Sequence, residues 1–244
     1  MTIIDFHTHM GQGPPGSDDL LQSHLSPEKV VEPARQAGVQ MSVTFPVTYP
    51  TYREANREIA EAVRRYPQEL LGFARLNPTT SDAMDELADA ARLGLRGLKL
   101  HHGCDGFDLL DRRVHETLEH CADLRWPVVF HSGGAVPALI ELARAHPRTP
   151  IVCGHMGGLW DWPAARQAIA AAREMENVYL ETSAMLVIWM VEEAAAAVPE
   201  QVLFGSDAPA MHPRVEMEKI LVARMTTEAR ELILGVNATR LLTR

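Results

Sequence analysis

The sequence has no long apolar run: nothing in its 244 residues approaches the roughly 18 consecutive apolar residues of a membrane-spanning helix. The N-terminus, Met1-Thr2-Ile3-Ile4-Asp5-Phe6-His7, lacks the basic region and apolar stretch of a signal peptide. Cysteine is scarce. Cys104, Cys121 and Cys153 are odd in number and lack zinc-ribbon spacing, which argues against a disulfide framework. Cys153, in an apolar run, reads as a small core residue. Basic charge is short too: 23 Lys and Arg against 32 Asp and Glu give a net charge of −9. A general nucleic-acid binder needs clustered Lys and Arg, so that class is set aside. These absences point to a cytoplasmic protein with neither membrane nor nucleic acid as partner.

A glycine-rich phosphate loop is also lacking. Met10-Gly11-Gln12-Gly13-Pro14-Pro15-Gly16 contains glycines, but its two prolines remove donors and oppose the helix such a loop must open. It reads as a mobile loop.

What is present is an alternation. Short runs rich in β-branched residues predict strands at Ile3 to His9, Gln40 to Phe45, Leu71 to Leu76, Arg96 to His101, Pro127 to His131, Pro150 to His155, Asn177 to Ser183 and Gln201 to Asp207. Between them, helical periodicity covers Pro27 to Ala37, with Ser26 as N-cap and Gly38 as stop, and Arg53 to Tyr66. It continues through Ser81 to Leu93, Arg112 to Leu124, Ala135 to Ala145, Pro163 to Met175, Ile188 to Val198, and two or three pieces from Pro213 onward. Eight strand–helix units without a linker-like composition shift predict a (β/α)8 TIM barrel, class α/β, in a single domain over residues 1–244. An open doubly wound sheet is the rival, disfavoured by the missing phosphate loop.

Polar residues fall at the strand ends. His7-Thr8-His9 places two imidazoles on one face of the first strand, because side chains alternate with period two. The fifth strand ends in His131, the sixth in His155 and the eighth in Asp207, and the fourth carries Lys99 and His101 on a common face. In a barrel all C-terminal strand ends meet at one mouth, so these distant residues become neighbours and predict a shared metal site. Lys99 could instead be a structural cation paired with Glu181. His115, His120 and His146 fall in or beside amphipathic helices and read as solvated, whereas His102 and His212 follow strands and could touch substrate. His24 has no strand-end position. Trp160, Trp162 and Trp189 follow strands six and seven, where packing is the commoner role and lining a substrate the other. Tyr49, Tyr52, Met185, Trp189 and Met211, in the loops around the mouth, suggest a partly apolar pocket.

Five motifs carry a family resemblance: Ile4-Asp5-Phe6-His7-Thr8-His9, Gly97-Leu98-Lys99-Leu100-His101, Val129-Phe130-His131-Ser132-Gly133, Gly154-His155-Met156-Gly157-Gly158 and Phe204-Gly205-Ser206-Asp207. With the closing Ile233-Leu234-Gly235-Val236-Asn237-Ala238, the chain resembles the amidohydrolase superfamily in its family 2 branch, which includes aminocarboxymuconate semialdehyde decarboxylase and γ-resorcylate decarboxylase. The resemblance implies a distorted TIM barrel with a divalent metal, usually zinc, held by the counterparts of His7, His9, His131 and Asp207. His155 matches a histidine that contacts the metal-bound water or acts as acid–base. In binuclear members a strand-four lysine is carbamylated and bridges two metals; the decarboxylases of this branch generally hold one metal and lack the Lys-Leu-His pattern found here. Lys99 is thus a metal ligand, a carboxylate-binding residue or a structural cation. Imidazole and carboxylate ligands suit zinc, manganese and iron alike.

Such a site supports hydrolysis of a small amide, lactone or ester, with Asp207 as the base and His155 stabilising the oxyanion or orienting the water. Lys99, His101 and Arg75, near strand ends, are candidates for binding an anionic substrate. The alternative at the same site is non-oxidative decarboxylation of a small carboxylated substrate. Short loops leave an open mouth, which favours hydrolysis. A barrel without chemistry is disfavoured, because all five ligand and acid–base positions are filled. Base rates for soluble oligomers add a homodimer to the expectations.

Overall fold

The computed structural model describes residues 2–11, 25–47 and 51–243. The proline-containing part of the first loop, His24 and Tyr49 lie outside the described residues. In chain order the strands are β1 (Ile4–Met10), β2 (Met41–Pro46), β3 (Leu70–Gly72), β4 (Ala74–Arg75), β5 (Leu98–Leu100), β6 (Val128–His131), β7 (Ile151–Gly154), β8 (Val178–Glu181) and β9 (Val202–Leu203). The helices are α1 (Glu28–Ala37), α2 (Tyr52–Arg65), α3 (Ala83–Arg92), α4 (His102–Asp105), α5 (Arg112–Leu124), α6 (Val136–Ala145), α7 (Trp162–Glu174), α8 (Ile188–Ala197), α9 (Pro213–Val222), α10 (Thr227–Glu231) and α11 (Asn237–Leu242). None of the described helices is long and apolar enough to cross a membrane.

Every named strand pair is parallel, in the orders β1-β2-β3 and β4-β5-β6-β7-β8-β9. The two sheets meet at both ends. The predicted third strand is split at Phe73, whose N–H turns to Thr44 O on one side while the Ala74 N–H turns to Gly97 O on the other. At the opposite seam Phe6 N–H donates to Phe204 O, Asp207 N–H to His7 O and His9 N–H to Ala208 O. The ring of backbone hydrogen bonds therefore closes, and β3 and β4 are two halves of one barrel position. This is a TIM barrel, as read from the alternation.

Two apolar clusters follow from the strand period. Ile4, Phe6, Val43, Phe45, Phe73, Val129, Val152, Tyr179 and Leu203 form an inner cluster, completed by Ala238 and Leu241 of α11. The alternate strand residues, such as Leu98, Val128, Phe130, Ile151 and Leu180, pack outward against the helices. Burial on both sides explains why these strands read as nearly continuous apolar runs.

Local signals set the helix ends. Gly38 stops α1 with φ 83°, a left-handed conformation that favours glycine. The Asp111 and Asp161 carboxylates accept the backbone N–H groups of Arg113 and Ala164, capping α5 and α7. The N-cap of α1 is Pro27, one residue later than expected, and Ser26 does not cap it. Helix α4 was unanticipated, because four residues are too few for a helical period to show. The eighth strand is short: after Leu203 the chain runs beside β1 as an extended segment to Asp207.

Candidate active site

The polar strand ends converge at one end of the barrel. His7 is fully buried on β1 and His9, two residues on, is 12% exposed. Their Nε2 atoms lie 3.3 Å apart. Asp207 Oδ1 stands 3.0 Å from His9 Nε2 and 3.5 Å from His7 Nε2. His155, just past β7, brings its ring centroid to 4.9 Å from that of His7. One ligand atom each from His7, His155 and Asp207 lies within 4.8 Å of the others, and His9 adjoins this group. His155 (φ 56°) and Asp207 (φ 63°) both adopt left-handed backbone, a strained state for residues with side chains and one that clusters at functional sites.

Glycines make room for these side chains. A Cβ on Gly154 would stand 2.7 Å from Phe130 O and 3.5 Å from His7 Cε1. One on Gly205 would run into Glu181 Oε1 and stand 2.9 Å from His7 Cβ.

The donor set fits a divalent ion. His7 Nδ1 lies 2.6 Å from Glu181 Oε2, so it carries the proton and Nε2 presents a lone pair. That lone pair faces the Asp207 carboxylate and His9 Nε2. The separations of 3.0, 3.3 and 3.5 Å match the edges of a tetrahedron around an ion bound at about 2.0–2.1 Å. Protonation states agree with this. Burial lowers the pKa of His7, His9 and His155, keeping the rings neutral. Burial also pushes Asp207 upward, but the hydrogen bond shared with His9 and, once acid protonates the rings, the charges of His7, His9 and His155 outweigh it and hold the carboxyl well below its ordinary range.

The other expected residues are placed differently. His131 lies at the same mouth: its ring stacks on His101, with centroids 3.9 Å apart and planes 7° apart, and meets His155 edge-on at 5.0 Å. Burial drives both His101 and His131 down to about 2. Of the alternatives for Lys99, the pair with Glu181 does not form, since that carboxylate is taken by His7, Ser183 and the His155 N–H. Instead Lys99 Nζ lies 3.3 Å from His7 Nε2 and 4.9 Å above the Phe45 ring, fully buried, and burial lowers its pKa to about 7. Arg75 at the end of β4 is 1% exposed and its guanidinium pairs at 3.2 Å with Asp105 of α4, which also accepts the Tyr52 hydroxyl.

Several bland readings change as well. His146 is buried, not solvated, with Nε2 2.8 Å from His115 Nδ1 across two helices. Trp160, Trp162 and Trp189 are exposed rather than packed, at 70%, 45% and 59%. His212 accepts the Arg214 N–H as the cap of α9. Tyr52 and Met185 are buried. Cys121 and Cys153 are core residues, while Cys104 is exposed.

Sequence reasoning missed what Glu181 and Ser183 do. Two residues apart at the end of β8, they share a strand face, and this spacing of polar residues after the run Val178-Tyr179-Leu180 was the available signal. Asp5 was missed too. Fully buried, it accepts the Ser206 hydroxyl and the Ser206 and His7 N–H groups, tying β1 to the segment that carries Asp207. Burial raises its pKa to about 7.

Comparison with known proteins finds the same fold. Solved structures with the same fold include a probable 2-pyrone-4,6-dicarboxylic acid hydrolase from Acinetobacter baumannii with citric acid bound, 17% identical with TM-score 0.79 and 100% of both chains covered. Another is 5-carboxyvanillate decarboxylase from Sphingomonas paucimobilis, 18% identical with TM-score 0.77 and 99% of both chains covered. A third is 4-oxalomesaconate hydratase from Rhodopseudomonas palustris, 16% identical with TM-score 0.77, covering 99% of this chain and 96% of that one. No curated protein sequence matches the chain. The amidohydrolase family pattern matches residues 4–244, nearly the whole sequence, and on that match the chain belongs to the amidohydrolase family, in its family 2 branch.

Proposed function

We propose that the protein is a metal-dependent hydrolase of a small anionic carbonyl compound, an amide, lactone or ester. One observation carries this reading: the Nε2 atoms of His7 and His9 and the Asp207 carboxylate converge at tetrahedral edge distances, with His155 beside them. His7, His9 and Asp207 would hold the ion, and His155 would be a fourth neighbour. When bound, a divalent ion such as zinc supplies Lewis acidity that polarises a carbonyl and acidifies water toward a pKa of about 7.

The chain's own groups do the rest. Asp207, 15% exposed, is reachable from the mouth. Its carboxylate takes the proton of the attacking water and returns it to the leaving oxygen or nitrogen. His155 donates its Nδ1–H to Ser183 O, so the neutral ring offers Nε2 as an acceptor. In that form it orients the water rather than donating to an oxyanion. Lys99 Nζ, with no carboxylate within 4 Å among the described residues, supplies a donor for a substrate carboxylate, assisted by His101 two residues on, just past the end of the same strand. Arg75, held by Asp105, acts on the loop rather than on substrate. An anionic substrate suits the neighbour named as a dicarboxylic acid hydrolase with citric acid bound.

Decarboxylation is the second reading, favoured by the decarboxylases among the similar folds. The two separate by product. Zinc- or manganese-loaded protein is incubated with carboxylated lactones and with hydroxybenzoates bearing a carboxyl group. Acid release with net addition of water is expected. Carbon dioxide release without water addition would replace hydrolysis by decarboxylation, and a protein that takes up neither metal would remove both.

A further inference from the structure

Glu181 is a fully buried carboxylate on which four donors converge. Its Oε2 accepts His7 Nδ1–H at 2.6 Å, the Ser183 hydroxyl at 2.8 Å and the His155 backbone N–H at 3.3 Å. Its Oε1 accepts the Ser183 backbone N–H. The Ser183 hydroxyl spends its proton on Glu181, so its oxygen is free to accept, and His155 Nδ1 lies 3.0 Å from it. That same Nδ1 lies 3.1 Å from the Ser183 carbonyl, which can only accept. His155 Nδ1 therefore carries a proton, as His7 Nδ1 does.

We propose that Glu181, directly and through Ser183, fixes both His7 and His155 as Nδ1–H tautomers and thereby aims two unprotonated Nε2 atoms into the cluster. Its purpose, presenting two lone pairs to one ion, rests on the metal-dependent reading above. The tautomers themselves do not depend on it. Glu181 is a positioning residue: it touches the ligands, not the reacting atoms. Carboxylate partners of ligating histidines act in this way in many metal sites.

The arrangement requires an ionised carboxylate and not merely a polar side chain. A glutamine at this position has one oxygen and one NH2 group. Its NH2 would face either the Ser183 N–H or the donors gathered at Oε2, and both orientations set donor against donor. The neighbouring backbone is shaped to admit the carboxylate, since any Cβ on Gly205 would strike Glu181 Oε1. The loop holding Ser183 is fixed from behind: Glu216 accepts the Ala184 N–H at 2.8 Å, and Lys219 donates to Met185 O at 2.9 Å.

The test begins with metal-free protein containing 15N-labelled histidine. Long-range 15N–1H correlation above pH 7 is expected to show His7 and His155 with protonated Nδ1 and bare Nε2. Protonated Nε2 on either ring in the wild type overturns the proposal without any variant. Glu181→Gln is then expected to shift His7 toward the Nε2–H form and to weaken zinc binding about 10- to 100-fold in chelator competition. Ser183→Ala, which leaves the backbone acceptor for His155, should weaken binding less. Unchanged tautomers and zinc affinity in Glu181→Gln would overturn the proposal, as would a larger loss in Ser183→Ala. A wild type that takes up no zinc would defeat the metal reading alone, because the metal-free spectrum still decides the tautomers. If Glu181→Gln does not fold, the wild-type spectrum and Ser183→Ala decide the matter.

Discussion

Arg75 and Asp105 form an ion pair in which the side chains are only 1% and 4% exposed, joining the end of β4 to the short helix α4. Asp105 also accepts the Tyr52 hydroxyl, and its carbonyl accepts Asn77 Nδ2–H at 2.8 Å. The Arg75 guanidinium lies 5.0 Å from the centre of the Tyr52 ring. This node anchors the loop whose first residue after β5 is His101.

Removing one member of such a pair leaves a buried charge uncompensated. Asp105→Ala is expected to cost about 3–5 kcal/mol of stability, read from urea unfolding of the metal-free protein. A loss below about 1 kcal/mol, the range of an exposed pair, would mean that water reaches the guanidinium.

Asp207→Asn keeps the size of the side chain but removes the proposed base. Turnover is expected to fall by at least about 100-fold, with the circular dichroism spectrum unchanged. Near-normal turnover would assign the base to another residue.

Acidification should destabilise the metal-free protein. Burial lowers His7, His9 and His155 and brings His101 and His131 to about 2, whereas in the unfolded chain each titrates near about 6.5. Below that value the unfolded chain binds the extra protons, so stability falls with pH, by up to about 1.4 kcal/mol per pH unit for each ring. Asp5, raised to about 7 by burial, acts in the opposite direction, because below that value it is protonated when folded while still ionised when unfolded. Five imidazoles outweigh this one carboxyl. Urea unfolding at pH values between about 6.5 and 5 should show the decline; constant stability would show that the rings stay accessible to protons.

Two glycines separate the site from the scaffold. A Cβ on Gly205 would strike Glu181 and stand 2.9 Å from His7 Cβ, whereas one on Gly235 would strike the Thr2 carbonyl just before the start of β1, away from the C-terminal strand ends. Both alanine variants should lose roughly 1–3 kcal/mol or more through overpacking. Only Gly205→Ala should also weaken zinc binding in chelator competition. Equal zinc affinity in the two variants would contradict the division.

The barrel was legible because its strands are buried on both sides, so runs such as Val128-Val129-Phe130 and Ile151-Val152-Cys153 stand out without any periodicity to decode. The convergence of His7, His155 and Asp207 was legible because parallel strands deliver their C-terminal ends to one mouth. The exact partners were not. Whether Lys99 meets Glu181 or His7, and whether Arg75 faces substrate or Asp105, depends on side-chain direction between segments tens of residues apart, which no local pattern encodes. The break at Phe73 was hidden for a related reason: the residue bonds to β2 while its successor bonds toward β5, a change of neighbour within an unbroken apolar run. His131 carries the strand-end signature, and its stacking on His101 could not be read from that signature.

The seam where the ring closes has a consequence for biosynthesis. Asp207 reaches its place by donating its backbone N–H to His7 O at 2.8 Å, so the cluster straddles the junction between the first strand and the last. A growing polypeptide carries His7, His9 and His155 well before it carries Asp207, and those three imidazoles alone would hold a divalent ion without a compensating negative charge. On the metal-dependent reading, full-strength capture would therefore wait for the final quarter of the chain to dock. Uptake of the ion would mark the completion of folding rather than guide its early steps, and a truncated chain would expose histidines without forming the centre they belong to.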